Sequence, residues 1–210
     1  MSKNIYLLSN KILPHTISLP MLEVEYIKSD INFDNYDAII FTSKSAIYAI
    51  DSFSTNWKKK DIYCIAQMTA NEATKLGVDV SFIGSSGHGD DFAQELLEKC
   101  KVRNKRLLYL RGDKVVSNLV NILKCDQQVV YKTICKKYNE NLTLEKNSII
   151  IFSSPSTIEC FLSNYIWDSS FIAISIGRTT SKYFPKYITP VIADTTSLQS
   201  CIDKALTITN

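Results

Sequence analysis

At 210 residues and 23.8 kDa, the chain is sized for one large domain or two small ones. Its 45% hydrophobic and 21% charged content excludes a disordered tail or a fibre, and no apolar run reaches the roughly 18–20 residues of a membrane span. A net charge of +3 is too weak to argue for a nucleic-acid binder and leaves room for an anionic ligand.

In chain order, strand candidates fall at residues 4–8, 23–27, 37–41, 62–66, 78–83, 106–110, 128–132, 148–152, 171–176 and 188–193. Most are continuous apolar runs rather than alternating ones, as expected of strands buried on both faces of a parallel sheet. Longer helical stretches separate them, so the predicted class is α/β. The chain opens with Met1-Ser2-Lys3-Asn4 and enters its first strand with no cleavage pattern of an export signal, so a cytoplasmic location is expected. Between the early strands, Trp57-Lys58-Lys59-Lys60 reads as a solvated loop. Gly84-Ser85-Ser86-Gly87-His88-Gly89-Asp90-Asp91 lacks the Lys-Ser/Thr ending of a P-loop and the glycine spacing of a dinucleotide fingerprint. It reads as a loop with an aspartate cap, His88 exposed within it. With His15, that makes two histidines, too few for a His-based metal site. The cysteines, at 64, 100, 125, 135, 160 and 201, include no C-x-x-C pair. They are expected to be reduced thiols, several buried as small hydrophobes.

The chain repeats itself. Ile39-Ile40-Phe41-Thr42-Ser43-Lys44-Ser45-Ala46-Ile47 aligns with Ile150-Ile151-Phe152-Ser153-Ser154-Pro155-Ser156-Thr157-Ile158 at an offset of 111. At the same offset Ile65-Ala66-Gln67-Met68-Thr69 aligns with Ile176-Gly177-Arg178-Thr179-Thr180. Two motifs at one ungapped offset suggest two copies of a five-strand unit, residues 1–105 and 106–210. Six turns share a design in which an apolar strand ends and hydroxyl or basic residues follow. They are Ser9-Asn10-Lys11, Thr42-Ser43-Lys44-Ser45, Thr69, Gly112-Asp113-Lys114, Ser153-Ser154-Pro155-Ser156 and Gly177-Arg178-Thr179-Thr180. Helix N-termini with hydroxyl and basic side chains suit carboxylates and phosphates, although Ser and Thr are ordinary helix caps as well. Pro155 fits the first turn of a helix. Tyr131, ending the strand Val129-Val130-Tyr131-Lys132-Thr133, is either a packed half-buried ring or a phenol that donates a proton into a cleft.

Taken in order, these motifs resemble the uroporphyrinogen-III synthase family over nearly the whole chain. The resemblance rests on residues 37–43 and 62–70, on Leu108-Tyr109-Leu110-Arg111-Gly112, on Val130-Tyr131-Lys132-Thr133, and on residues 151–156 and 174–180. Ser45 stands where an asparagine is common in the family, Ala66 where a glycine is common, and Arg178 where proline or lysine is frequent. None of these departures removes a proposed chemical group.

The resemblance implies two flavodoxin-like α/β lobes with parallel sheets, joined by a two-stranded linker, with the ligand cleft between them. One lobe would be residues 1–29 with 136–210, the other 32–134, with linkers near 29–32 and 133–137. It implies cyclisation of hydroxymethylbilane, a linear tetrapyrrole with eight carboxylates. Water is lost and ring D inverted, through an azafulvene and a spirocyclic intermediate, without metal or cofactor. Tyr131 would assist departure of the hydroxyl. Ser43, Thr69, Ser154, Thr179 and Thr180 would bind carboxylates, and Lys44, Arg111 and Arg178 would add charge. The resemblance suggests a monomer, with no nucleic-acid or membrane partner. A rival of another class is a two-lobed binding module that closes on a small anion without chemistry. A receiver-like signalling pair would need an acidic pocket that the first strand, ending Leu7-Leu8-Ser9-Asn10, does not offer.

Overall fold

The structure is a computed structural model and describes residues 3–138 and 143–209. Over these residues the elements are β1 (Ile5–Leu7), β2 (Ile17–Ser18), β3 (Leu22–Tyr26), β4 (Ala38–Phe41), α1 (Lys44–Asp51), β5 (Asp61–Cys64), α2 (Gln67–Lys75), β6 (Phe82–Ile83), α3 (Gly89–Lys99), β7 (Leu107–Gly112), α4 (Leu119–Leu123), β8 (Asp126–Cys135), β9 (Ile149–Phe152), α5 (Pro155–Asn164), β10 (Ile172–Ser175), α6 (Arg178–Ser181), β11 (Val191–Ile192) and α7 (Leu198–Thr209). They build an α/β fold with two mostly parallel sheets, ordered β11-β10-β9-β1-β2 and β3-β8-β7-β4-β5-β6. Each predicted strand has a counterpart. The addition is β2, two residues that pair with Tyr6 and Leu7 of β1. It is too short to show a pattern and sits between Pro14 and Pro20.

The chain divides into two compact units, residues 1–23 with 134–210 and residues 24–133, the boundaries falling inside β3 and β8. Every pairing with a recorded register is parallel. β3 runs against β8: the Lys136 amide donates to the Met21 carbonyl and the Ile27 amide to the Val130 carbonyl.

In the unit formed by residues 24–133, alternation along β4 divides the core. Ile39 and Phe41 pack with Ile47, Ile50 and Trp57 on the α1 and α2 face, while Ala38 and Ile40 pack with Phe92, Leu96 and Leu119 on the α3 and α4 face. Trp57 is fully buried, edge-on to Phe41 at 5.3 Å between ring centroids. The expectation of a solvated loop at 57–60 is therefore corrected. A 3-10 turn over Asn56–Lys59 turns the indole inward, and the partly buried Lys58 ammonium lies 2.7 Å from the Asp51 carboxylate and donates to the Leu76 carbonyl at 3.2 Å. Gly77, at φ +79°, supplies the left-handed residue that stops the chain after α2.

In the other unit the same logic recurs along β9. Ile150 and Phe152 face Phe161 of α5, while Ile149 and Ile151 face Cys201, Ile202 and Ala205 of α7. Cys135, the last residue of β8, and Cys160 of α5 form a disulfide with Cα atoms 5.1 Å apart, which corrects the expectation of six reduced thiols. The two are 25 residues apart in sequence, and only folding brings the strand end to the helix. No helix among the described residues is long and apolar enough to cross a membrane.

Candidate functional site

In each sheet the motif-bearing strands are neighbours and parallel, so their carboxyl ends share one edge. In one sheet these are β10, β9 and β1, and in the other β5, β4 and β7. Ligands of open α/β sheets gather outside this edge, where the strand order reverses.

The offset-111 motifs are structurally equivalent. Ser43 is the N-cap of α1, its hydroxyl accepting from the Ser45 amide at 3.2 Å. Ser154 is the N-cap of α5 in a reciprocal box with Thr157, with Pro155 at the first helical position. The second pair caps differently from expectation. Ala66 and Gly177 are the N-caps of α2 and α6, neither with a side-chain cap bond, which puts Thr69 and Thr180 one turn inside. Both are buried, at 7% and 5% exposure, whereas Arg178 and Thr179 beside Thr180 are exposed. At two of the six turns no helix follows directly. Ser9-Asn10-Lys11 leads into irregular chain, and after Gly112-Asp113-Lys114 a loop precedes α4. The loop at 84–91 ends with His88, exposed, as the N-cap of α3 in place of an aspartate.

Within residues 24–133, the ends of β4 and β7 and the middle of β8 surround a pocket of about 250 Å³ lined by Thr42, Ser43, Tyr109, Gly112, Lys114 and Tyr131, among others. β8 runs on to Cys135, so Tyr131 does not end its strand as the sequence suggested. The Thr42 and Tyr109 hydroxyls share a hydrogen bond of 2.7 Å. Burial raises the Tyr109 phenol above its ordinary value of 10, the Thr42 bond opposing in part, so it remains a neutral donor. Tyr131 is half-buried, its ring resting on the core beside Phe41, Leu108 and Leu110. Lys114 brings a cation to the rim. Phenols, hydroxyls and an ammonium make this a donor-rich hollow, suited to an oxygen anion or a departing hydroxyl.

Of the candidate residues, the pocket unites Tyr131 and Ser43. Lys44, at the start of α1, is exposed, and its charge helps hold the Glu72 carboxyl below the ordinary carboxylate range, after the larger effects of Lys75 and Tyr48. Arg111 lines a neighbouring hollow with Asp113, Ser117 and Gln127. Its Nε donates to Gln127 at 2.7 Å and its Nη1 to the Gly112 carbonyl at 2.7 Å, so the guanidinium braces the end of β7. Arg178 lines a hollow of about 410 Å³ with Gly177, Asp194, Thr195 and Thr196. Thr69, Ser154, Thr179 and Thr180 line neither the Tyr131 pocket nor these two. Sequence reasoning named Thr42 only as part of the turn Thr42-Ser43-Lys44-Ser45 and passed over Tyr109 as a lining residue. Tyr109 reads as one more apolar position in Leu107-Leu108-Tyr109-Leu110, and its only signal is a hydroxyl near the carboxyl end of a buried strand. Among the described residues, no group of three or more His, Cys, Asp or Glu side chains could hold a metal ion.

Fold and pocket together define an α/β protein with mostly parallel sheets and polar groups gathered at the strands' carboxyl ends. The chain belongs to the uroporphyrinogen-III synthase family: the model described as uroporphyrinogen-III synthase HemD matches residues 15–203. A Methanocaldococcus jannaschii protein assigned as a uroporphyrinogen-III synthase is 28% identical over 193 residues, covering 81% of this chain and 79% of that protein. The crystal structure of uroporphyrinogen-III synthetase from Helicobacter pylori 26695 superposes with a TM-score of 0.75 at 27% identity, over 98% of this chain and 99% of the other. The family's enzymes are cyclising hydro-lyases that convert hydroxymethylbilane to uroporphyrinogen III in tetrapyrrole biosynthesis, and that is the function of this chain.

Proposed function

We propose that Tyr131 performs the acid step of this reaction. Its phenol donates to the oxygen of the substrate's hydroxymethyl group as the C–O bond breaks and water departs. The observation that carries the reading is the pocket at the ends of β4 and β7, where Tyr131 stands with Thr42, Ser43, Tyr109 and Lys114. The Tyr109 phenol, kept neutral by burial and hydrogen-bonded to Thr42, lines the same pocket. A pyrrole carbinol ionises readily, so the catalytic demand is for positioning more than for strong acid. The carboxylate-binding groups are read as Ser43, Lys44, Thr69 and Arg111 in the unit of residues 24–133, and as Ser154, Arg178, Thr179 and Thr180 in the other unit.

Each unit is read as a flavodoxin-like lobe. Numbered from β1, the sheet β2-β1-β9-β10-β11 has the order 2-1-3-4-5, which supports that reading for its unit, whereas the other sheet, numbered from β4, runs 3-2-1-4-5 with β3 added beside β8 and does not share that order. The lobes are read as residues 1–29 with 136–210 and residues 32–134, with linkers near 29–32 and 133–137; the compact units divide earlier on the first crossing, inside β3, and inside β8 on the second. The enzyme is read as a cytoplasmic monomer acting without cofactor, nucleic acid or membrane.

Tyr131→Phe tests the acid step, because it keeps the ring and removes only the hydroxyl. Turnover falls by about 10²-fold, the low end for a positioned acid. The fold survives, a partly exposed hydroxyl being worth about 1 kcal/mol. Tyr26, exposed on β3, serves as control, and Tyr26→Phe is nearly silent. Unchanged turnover in Tyr131→Phe, with type III product still dominant, removes Tyr131 from the chemistry.

A further inference from the structure

Gly112 ends β7, and its backbone gives no reason for a glycine. Among the described residues the positive-φ glycines are Gly77 and Gly87, and Gly112 instead pairs with Tyr131 just past a shift in the β7–β8 register, with no left-handed φ to require a glycine. What excludes a side chain there is Tyr131. A methyl carbon on Gly112 would stand 2.8 Å from Cζ, 2.9 Å from Cε2 and 3.0 Å from the hydroxyl oxygen of Tyr131. These are the distal atoms of one side chain, so a methyl would swing the phenol aside rather than break the sheet.

A second observation concerns how Tyr131 comes to face Gly112. β7 and β8 pair Arg111 with Val129 and then Gly112 with Tyr131, so Val130 is an extra residue on β8. In an unbroken strand Val130 and Tyr131 would point to opposite faces. Here both pack on the core containing Phe41, Leu108 and Leu110. The bulge turns the ring of Tyr131 to the end of β7, as bulges beside active sites do. The missing side chain of Gly112 leaves the room that the ring then fills.

We propose that Gly112 is a positioning residue for the reaction: with the bulge at Val130, its bare Cα fixes where the Tyr131 hydroxyl stands in the pocket. The proposal rests on the reading of Tyr131 given above. It is tested with Gly112→Ala, Tyr131→Phe and the double variant, by steady-state turnover of hydroxymethylbilane to the type III product and by thermal unfolding. Gly112→Ala lowers kcat by about 10- to 100-fold, the cost of misplacing a catalytic group by about an ångström. KM stays within about threefold, because the carboxylate contacts are untouched. The melting temperature does not fall. Added to Tyr131→Phe, the alanine costs less than about twofold more, because no hydroxyl remains to be misplaced. Wild-type kcat in Gly112→Ala overturns the proposal. So does an equal loss with and without the Tyr131 hydroxyl, or a drop in melting temperature that accounts for the lost turnover. A costly Tyr131→Phe beside a silent Gly112→Ala defeats this proposal alone, whereas a silent Tyr131→Phe defeats the reading beneath it.

Discussion

Cys64 ends β5 with no exposed surface, one strand away from the Tyr131 pocket. Burial pushes its thiol from an ordinary value of 9 up to about 12, and burial likewise lifts Cys125 and Cys201 to about 11. A raised acid in the folded state means that the unfolded chain gives up its proton first. The stability these thiols contribute is therefore fully present below pH 9 and drains away between pH 9 and 12. Urea midpoints are expected to hold level up to about pH 8 and then to fall as unfolded thiols ionise. Cys64→Ala flattens part of that slope whatever it does to absolute stability. A slope indifferent to Cys64 contradicts the assignment. The contrast with the pocket is one of kind. Ser43 was legible as a hydroxyl at the end of an apolar strand, where it caps α1, whereas Tyr131 stands in the middle of β8 and was singled out by the family resemblance more than by its pattern. Gly112 was visible as a turn residue and not as the partner of Tyr131, because that role depends on a bulge that no period in the sequence encodes.

Among the elements, the repeat proved the most informative signal. The Ser43 and Ser154 motifs both form strand, cap and helix, β4 to α1 and β9 to α5, since a buried run ending in Ser-x-Ser chemistry has one good local solution. The Thr69 and Thr180 motifs were read as helix-opening hydroxyls, yet the chain enters those helices at Ala66 and Gly177 and the threonines turn inward. Cap position is decided by backbone angles over two residues, finer than pattern reading resolves. The disulfide was out of reach for another reason: Cys135 and Cys160 meet through tertiary folding alone. It ties the end of β8 to α5 and closes a loop of 25 residues, which by chain entropy is worth about 3 kcal/mol. Protein denatured without reductant should show four titratable thiols, Cys64, Cys100, Cys125 and Cys201. Adding reductant should lower the unfolding free energy by about 3 kcal/mol. Six thiols before reduction, or an unmoved midpoint, contradict the tie.

At the scale of the whole molecule, class was legible in the pattern of strands and helices, whereas the discontinuous chain path was expected only from the family resemblance. Continuous apolar strands between helices announce a parallel sheet covered on both faces, and each sheet is covered in that way. Which strands share a sheet is a different question. Ala38-Ile39-Ile40-Phe41 and Ile149-Ile150-Ile151-Phe152 offer nearly the same edge to β1, so local pattern cannot choose between them. In the fold β1 pairs with β9, Ile5 opposite Ile149, and β7 pairs with β4, so the sheets do not follow the sequential halves of the repeat. The identity of the product tests the assigned reaction most directly. Purified protein is given hydroxymethylbilane, and the products are oxidised and the type I and type III isomers separated. The account predicts that the type III isomer dominates and accumulates in proportion to enzyme. Type I isomer alone, formed at the rate seen without protein, would contradict it.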